Sequence, residues 1–261
     1  MTYKDIDVED IIGIAQRAGD AIMEIYARDF SVETKEDSSP LTEADKKSNT
    51  VILEGLKHLY PEIPFISEET KQIPFEERKH WKRFWLIDPI DGTKEFIKKN
   101  GEFTVNIALV EEDVPVVGVV HVPARDETYF AGRGLGAFKR QNINDKQQTK
   151  IHSDGHYSSK EKVVVVGSRS HLSPETLEFV EELKARGKEV EFRSSGSSLK
   201  LCLVASGEAD VYPRFGPTME WDTGAAHAIA LYAGRSVINY DTKQPLVYNK
   251  ENLLNPWFIV E

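Results

Sequence analysis

Two aspartates three residues apart, Asp88 and Asp91, sit in the stretch "WLIDPIDGTKEF" (Trp85–Phe96), with Pro89 and Ile90 between them and Gly92 and Thr93 behind. A plain turn after a strand uses one aspartate, a proline and a glycine; it has no need of a second carboxylate. Carboxylates at i and i+3 on a turn stiffened by Pro89 can address one point, and the Ile90 carbonyl can address it too. Such an all-oxygen set suits a hard cation such as Mg²⁺, which takes its ligands at about 2.0–2.1 Å. Two unpaired carboxylates this close repel each other, which is a reason to expect a cation between them. Gly92 and Thr93 lead into "KEFIKK", which reads as the first turn of a helix. Amides at a helix start receive phosphate oxygens, and glycine lets a ligand approach the backbone closely. The same residues also fit a strand-to-helix turn capped by aspartate, and the stretch taken alone leaves both readings open.

Other residues bear on that choice. Glu68 and Glu69 end the run "IPFISEE"; they are solvated surface acids unless strand pairing brings them beside Asp88. In "EWDTGAAHAIA" (Glu220–Ala230), Asp222 reads as an N-cap at the start of an apolar helix, or as a further acid for the same site. Thr42 and Asp45 read first as helix-start residues. The single cysteine, Cys202, lies in the apolar run Leu201–Ala205, so it reads as a core thiol, and neither an intramolecular disulfide nor a thiolate metal cluster is expected.

The elements that must position these groups follow from periodicity. Apolar residues at three- and four-residue spacing predict a helix from about Asp5 to Arg28, and a second from the N-cap Thr42 to just before Pro61. Strands are expected at Ile63–Glu69 and at "RFWLID", with Asp88 and Asp91 on the turn after it. "FTVNIALVE" and "VPVVGVVHVP" fit neighbouring antiparallel strands, and "ETYFAGRGLGAFKR" continues as short strands with glycine turns. After the polar stretch Gln141–Lys162 the pattern changes to alternating strands and helices, with helices expected at Pro174–Arg186, Ser197–Ser206 and Asp222–Ala233. A division near residue 148 is therefore expected, with an α+β part at 1–148, an α/β part at 149–261 and the site in the cleft between them.

A formal charge of −10 with no Lys/Arg-rich face argues against a nucleic-acid partner, so an anionic ligand would need something other than bulk charge, such as a metal ion, to attract it. The opening residues are acidic and amphipathic rather than basic then apolar, so no signal peptide is expected, and no window offers the roughly 18 apolar residues of a membrane span.

The set Thr42-x-x-Asp45, "SEE", "WLIDPIDGTKEF" and "EWDTGAA" resembles the lithium-sensitive, Mg²⁺-dependent phosphatases of the inositol monophosphatase superfamily. Within that superfamily, "DPIDGTKEFIKKNGEFTVNIAL" and "GSSLKLCLVASGEADVYPRFGPTMEWDT" resemble the bacterial 3′(2′),5′-bisphosphate nucleotidases, and the match runs in order along the chain. The resemblance implies an α/β (α+β) fold layered as an αβαβα sandwich. It implies that Glu68, Asp88, the Ile90 carbonyl, Asp91 and Asp222 hold Mg²⁺, and that Thr93, Asp45 and Glu68 orient and deprotonate a water. Gly92 and Thr93 would hold the phosphoryl group, with Asp222 near the departing sugar oxygen. Ser197, Lys200, Arg214 and His171 would contact the nucleotide, and Arg169 is a further candidate for a phosphate.

The activity implied is hydrolysis of 3′-phosphoadenosine 5′-phosphate to AMP and phosphate, extending to 3′-phosphoadenosine 5′-phosphosulfate, in sulfur assimilation. The substrate is thus a small nucleotide bisphosphate. The alternative is an inositol monophosphatase or broad sugar phosphatase with the same metal site. A monomer or homodimer is expected, cytoplasmic or peripheral at the inner membrane.

Overall fold

A computed structural model describes residues 1–34, 40–141, 147–153, 155–168 and 173–261. Helix α1 (Val8–Tyr26) starts at Asp7, whose Oδ1 accepts the Glu9 amide at 3.1 Å, and buries Ile11, Ile12, Ala15, Ala18, Ile22 and Ile25. Helix α2 (Glu43–Leu59) starts at Thr42. The Thr42 hydroxyl accepts the Ala44 amide while Asp45 reaches back to the Thr42 amide at 2.7 Å, so donors left over at the helix start are satisfied locally. Both helices lie where their apolar periodicity predicts.

Among the described residues the central sheet has seven strands: β1 (Phe65–Ser67), β2 (Arg83–Asp91), β3 (Thr104–Glu111), β4 (Val114–Val122), β5 (Glu127–Gly132), β6 (Gly136–Gln141) and β7 (Gln148–Ile151). Their order in space is their order in sequence, with β1 parallel to β2 and every other pair antiparallel. A single helical turn at Phe75–Arg78, which no periodicity announced, lies between β1 and β2. The short α3 (Thr93–Ile97) follows β2 directly. Beyond the sheet come β8 (Lys162–Gly167), α4 (Pro174–Ala185), β9 (Glu189–Ser194), α5 (Leu199–Ala205), β10 (Tyr212–Arg214), α6 (Glu220–Tyr232), β11 (Val237–Asn239) and β12 (Phe258–Val260). Strands β8 and β9 pair in parallel, and β10, β12 and β11 form an antiparallel set. The parallel bridge Val165–Val211 joins the two.

Three apolar clusters fill the spaces between layers. One joins α1 and α2 to the central sheet, a second joins the sheet's other face to α5 and α6, and a third lies among β8, α4 and β12. The result is the expected αβαβα layering. Strand β7, which opens at the division expected at residue 148, completes the edge of the central sheet. Among the described residues no helix is long and apolar enough to cross a membrane.

Two departures from the sequence reading matter to the site. Asp88 and Asp91 are not on a turn after β2; the strand continues through both, with Asp88 opposite Asn106, Asp91 opposite Thr104 and an irregularity between them. Pro89, which has no N–H to give a ladder, falls inside that bulge, where none is required. Helix α6 starts at Glu220 rather than at Asp222, so Asp222 is the third helical residue and not the N-cap, and its Oδ2 accepts the Met219 amide at 2.8 Å.

Small residues let α6 lie close on the sheet. A Cβ added at Gly118 of β4 would come within 2.2 Å of the Ala225 carbonyl oxygen. Such overpacking costs about 1–3 kcal/mol or lifts the helix away, and lifting it would carry Asp222 from the end of β2.

Candidate active site

The parallel pairing of β1 with β2 sets Ser67 opposite Ile87, so Glu68 emerges beside Asp88, and the Glu68 amide donates to the Ile87 carbonyl at 3.2 Å. Helix α6 brings Asp222 to the same place. Glu68, Asp88 and Asp222 each put a carboxylate oxygen within 4.8 Å of the other two.

Asp88 is 1% exposed; its Oδ1 accepts the Ile90 amide at 3.1 Å, whereas its buried Oδ2 has no hydrogen-bond partner among the described residues. Burial first, then the charges of Glu68, Asp91 and Asp222, push the Asp88 carboxyl well above the usual carboxylate range. Burial and Asp91 push Asp222 up to about 8, against the steadying Met219 amide. Burial raises Asp91 to about 6, with Lys200 and the Ser198 amide holding it down. A buried carboxylate oxygen without a donor, set among further acids, is costly as it stands. A divalent cation relieves that cost, so the residues present fit one. Asp91 lies outside the tight triad. Its Oδ2 accepts the Ser198 amide at 2.5 Å, and its own carbonyl accepts the Ser197 hydroxyl at 2.8 Å.

Asp45 does not line the cleft. It is buried in the cap of α2, where its Oδ2 accepts the Thr42 amide at 2.7 Å and the Thr42 hydroxyl at 2.6 Å. Its Oδ1 accepts the Thr93 hydroxyl at 3.2 Å, and Thr93 does line the cleft. The hydroxyl also lies 3.4 Å from the Ile90 carbonyl, and Ser48 of α2 donates to the Pro89 carbonyl at 2.8 Å. The helix cap and the strand bulge are thus tied together at the two residues whose hydroxyl and carboxylate could pass a proton.

The cleft measures about 1060 Å³ and has a second, cationic wall that includes Ser197, Lys200 and Arg214. Lys200 is buried; its Nζ donates to the Ser197 carbonyl at 2.6 Å and lies 5.4 Å from the centre of the Tyr212 ring. Burial lowers it to about 8 in spite of Asp91 nearby. Arg214 donates from Nη2 to the Pro217 carbonyl at 2.9 Å, while its buried Nε has no partner among the described residues. Ser197 has φ +49°, and its hydroxyl lies 2.8 Å from the Asp91 carbonyl and 2.7 Å from the Glu102 carbonyl, so its one proton serves the protein itself. Gly92 has φ +94°, and a Cβ there would meet the Ser197 Oγ at 2.4 Å, so only glycine fits between the two walls.

The structure therefore brings Asp45, Glu68, Asp88, Ile90, Asp91, Gly92, Thr93, Ser197, Lys200, Arg214 and Asp222 to one cleft or directly behind it. His171 and Arg169 lie outside the described residues. Sequence reasoning missed Ser198, whose amide holds Asp91 and whose hydroxyl donates to Asn106 Oδ1 at 2.9 Å and lies 2.9 Å from Thr104 Oγ1. Nothing local could have revealed it, because its partners are about a hundred residues away in the chain.

Comparison with known proteins gives a consistent picture. The model of the inositol monophosphatase family matches residues 7–257. The chain is 46% identical over 255 residues to the 3′(2′),5′-bisphosphate nucleotidase CysQ of Salmonella typhimurium, covering 97% of this chain and 98% of the relative. It is 37% identical over 262 residues to the protein of the same name in Haemophilus influenzae, covering 100% and 94%. Among solved structures, CysQ of Bacteroides thetaiotaomicron, described as a bacterial member of the inositol monophosphatase family, matches with a TM-score of 0.83 at 45% identity, covering 97% of this chain and 96% of the other. An IMPase of Thermotoga maritima matches with a TM-score of 0.75 at 26% identity, covering 96% and 89%.

Proposed function

The chain belongs to the inositol monophosphatase family, and we propose that it is a Mg²⁺-dependent 3′(2′),5′-bisphosphate nucleotidase that converts 3′-phosphoadenosine 5′-phosphate to AMP and phosphate. The observation that carries this reading is one cleft with two unlike walls: the triad Glu68, Asp88 and Asp222 on one, and Lys200 with Arg214 on the other. A substrate with two separate phosphates has a use for both walls; a single phosphate has a use only for the acidic one. The names of the nearly full-length relatives point the same way.

Glu68, Asp88, the Ile90 carbonyl, Asp91 and Asp222 would hold Mg²⁺. When bound, the ions supply positive charge to the phosphoryl oxygens and acidify a water. The chain's own residues do the rest. Thr93 gives its hydrogen bond to Asp45, which leaves its oxygen able to accept from a water while Asp45 takes up the displaced proton. The hydroxyl alone is a poor base, so the pair is the working unit, with Glu68 assisting. Gly92 and Thr93 amides steady the phosphoryl oxygens, and Asp222 stands near the departing 3′-oxygen. Lys200 and Arg214 take the 5′-phosphate, with Ser197 toward the nucleoside. The site would also accept 3′-phosphoadenosine 5′-phosphosulfate, and the activity would serve sulfur assimilation.

The test is phosphate release with and without Mg²⁺ across a small panel. The nucleotide bisphosphate is expected to exceed inositol 1-phosphate in kcat/KM, and chelation is expected to stop release. Preference for the inositol ester would overturn the substrate assignment. Undiminished release in chelator would overturn the metal assignment.

A further inference from the structure

Glu220 opens α6 two residues before Asp222 and is 0% exposed. Residues two apart on a helix face roughly opposite sides, so the two carboxylates have separate surroundings. Glu220 Oε2 accepts the Asn249 amide at 2.7 Å; Oε1 accepts the Lys250 amide at 3.0 Å and the Lys250 ammonium at 2.5 Å. Asn249 is held in turn. It has φ +66°, its Oδ1 accepts Arg78 Nη1 at 2.8 Å, and its Nδ2 donates to the Arg78 carbonyl at 2.8 Å. Arg78, buried, also donates from Nη2 to the Glu251 carbonyl at 2.8 Å. The chain leaving Glu68 and the helix carrying Asp222 are therefore fastened to each other through Arg78, Asn249 and Glu220.

The same loop also fixes the backbone just before Asp222. The Glu220 amide donates to the Leu253 carbonyl at 2.9 Å, and Asn255 Nδ2 donates to the Met219 carbonyl at 2.8 Å. A fastening of this strength at a helix start that faces like charges has a definite consequence. Asp222 puts a carboxylate oxygen within 4.8 Å of those of Glu68 and Asp88, and carboxylates held that close push the first turn of α6 outward unless something holds it.

We propose that Glu220, backed by Asn249 and Arg78, is a positioning residue that keeps Asp222 at the spacing a divalent cation needs. The inference rests on the reading of Asp222 as a metal ligand. Glu220→Gln keeps the shape but turns an acceptor oxygen into a donor facing a backbone N–H. Asn249→Gly accepts the left-handed backbone without strain and removes only the side-chain link to Arg78.

The experiment is calorimetric titration of Mg²⁺ into the metal-free full chain, with near-UV circular dichroism to establish that each variant is folded. Glu220→Gln is expected to weaken Mg²⁺ binding about tenfold, the scale on which partners of metal ligands act, and Asn249→Gly to weaken it by less. The KM for the nucleotide at saturating Mg²⁺ is expected to stay within about twofold, since uniform substrate binding is untouched. Folded Glu220→Gln that binds Mg²⁺ as the parent does would overturn the inference. Should that variant not fold, Asn249→Gly decides alone, and parental Mg²⁺ affinity in it would overturn the inference equally. Asp222→Asn, titrated alongside, separates the two claims: unchanged Mg²⁺ binding there overturns the reading of Asp222 as a ligand, whatever Glu220 does.

Discussion

The two walls of the cleft are built on different principles. The acidic wall comes from the ends of two adjacent strands of the central sheet and the first turn of a buried helix, and Asp88 at its centre is buried. The cationic wall comes from a loop, a seven-residue helix and a three-residue strand, with Arg214 half-buried on the last. Positions on packed strands are fixed by many neighbours, which chemistry at a phosphorus centre requires. Long cationic side chains on shorter elements can adapt, which suits recognition of a distant charged group. Rate should therefore live on the first wall and substrate preference on the second.

That division can be broken or sharpened by substitution. The largest effect is expected at Asp91→Asn, which removes a proposed ligand but keeps an acceptor for the Ser198 amide. Turnover should fall on the order of a thousandfold with the fold intact; near-normal phosphate release would show that Asp91 holds no metal. Next comes Thr93→Val, which deletes the link to Asp45. A loss of about a hundredfold in kcat with little change in KM is expected from single-turnover kinetics, and an effect confined to KM would move Thr93 from the chemistry to binding.

Arg214→Ala tests the other wall. It should raise KM for the nucleotide bisphosphate about tenfold or more, while leaving hydrolysis of 3′-AMP, which lacks the 5′-phosphate, nearly unchanged. Equal losses on both substrates would erase the proposed division.

The smallest effect is a pH dependence of stability. Asp91 and Asp222 have folded-state pKa values raised from 3.8 to about 6 and about 8. Between those limits the metal-free folded chain holds protons that the unfolded chain has released. On account of these two groups its stability falls as pH rises from about 4 to about 8. Mg²⁺ bound at the proposed ligands would remove the need for those protons. The gap in melting temperature between Mg²⁺-loaded and chelated protein should therefore widen across that window, and a gap independent of pH would mean that these carboxyls do not carry the metal-free cost. The buried histidines His121 and His227, whose pKa values are lowered by burial, are common to both samples and cancel in the difference.

Much of this was legible from the chain alone where the signal was local. The cap at Thr42, the apolar faces of α1 and α2 and the β-rich runs of β3 and β4 each lie within a few residues of what they specify. The bulge in β2 was not. Asp-Pro-Ile-Asp-Gly has the composition of a turn, and only the pairing of Asp91 with Thr104 reveals that the strand carries on. Glu220 was invisible for a related reason. Beside Asp222 it reads as one more acid in a first helical turn, and its partners lie 29 and 30 residues further along.

By itself the sequence determined which chemical groups exist and which elements carry them, because periodicity, capping and turn chemistry act between near neighbours in the chain. Their convergence was decided in three dimensions. Strand β1 chose β2 as its parallel partner, small residues let α6 settle onto the sheet, and a glycine at position 92 let the two walls meet. Such contacts depend on shape and distance between segments far apart in the chain, and no local pattern of residues encodes a distance across the fold.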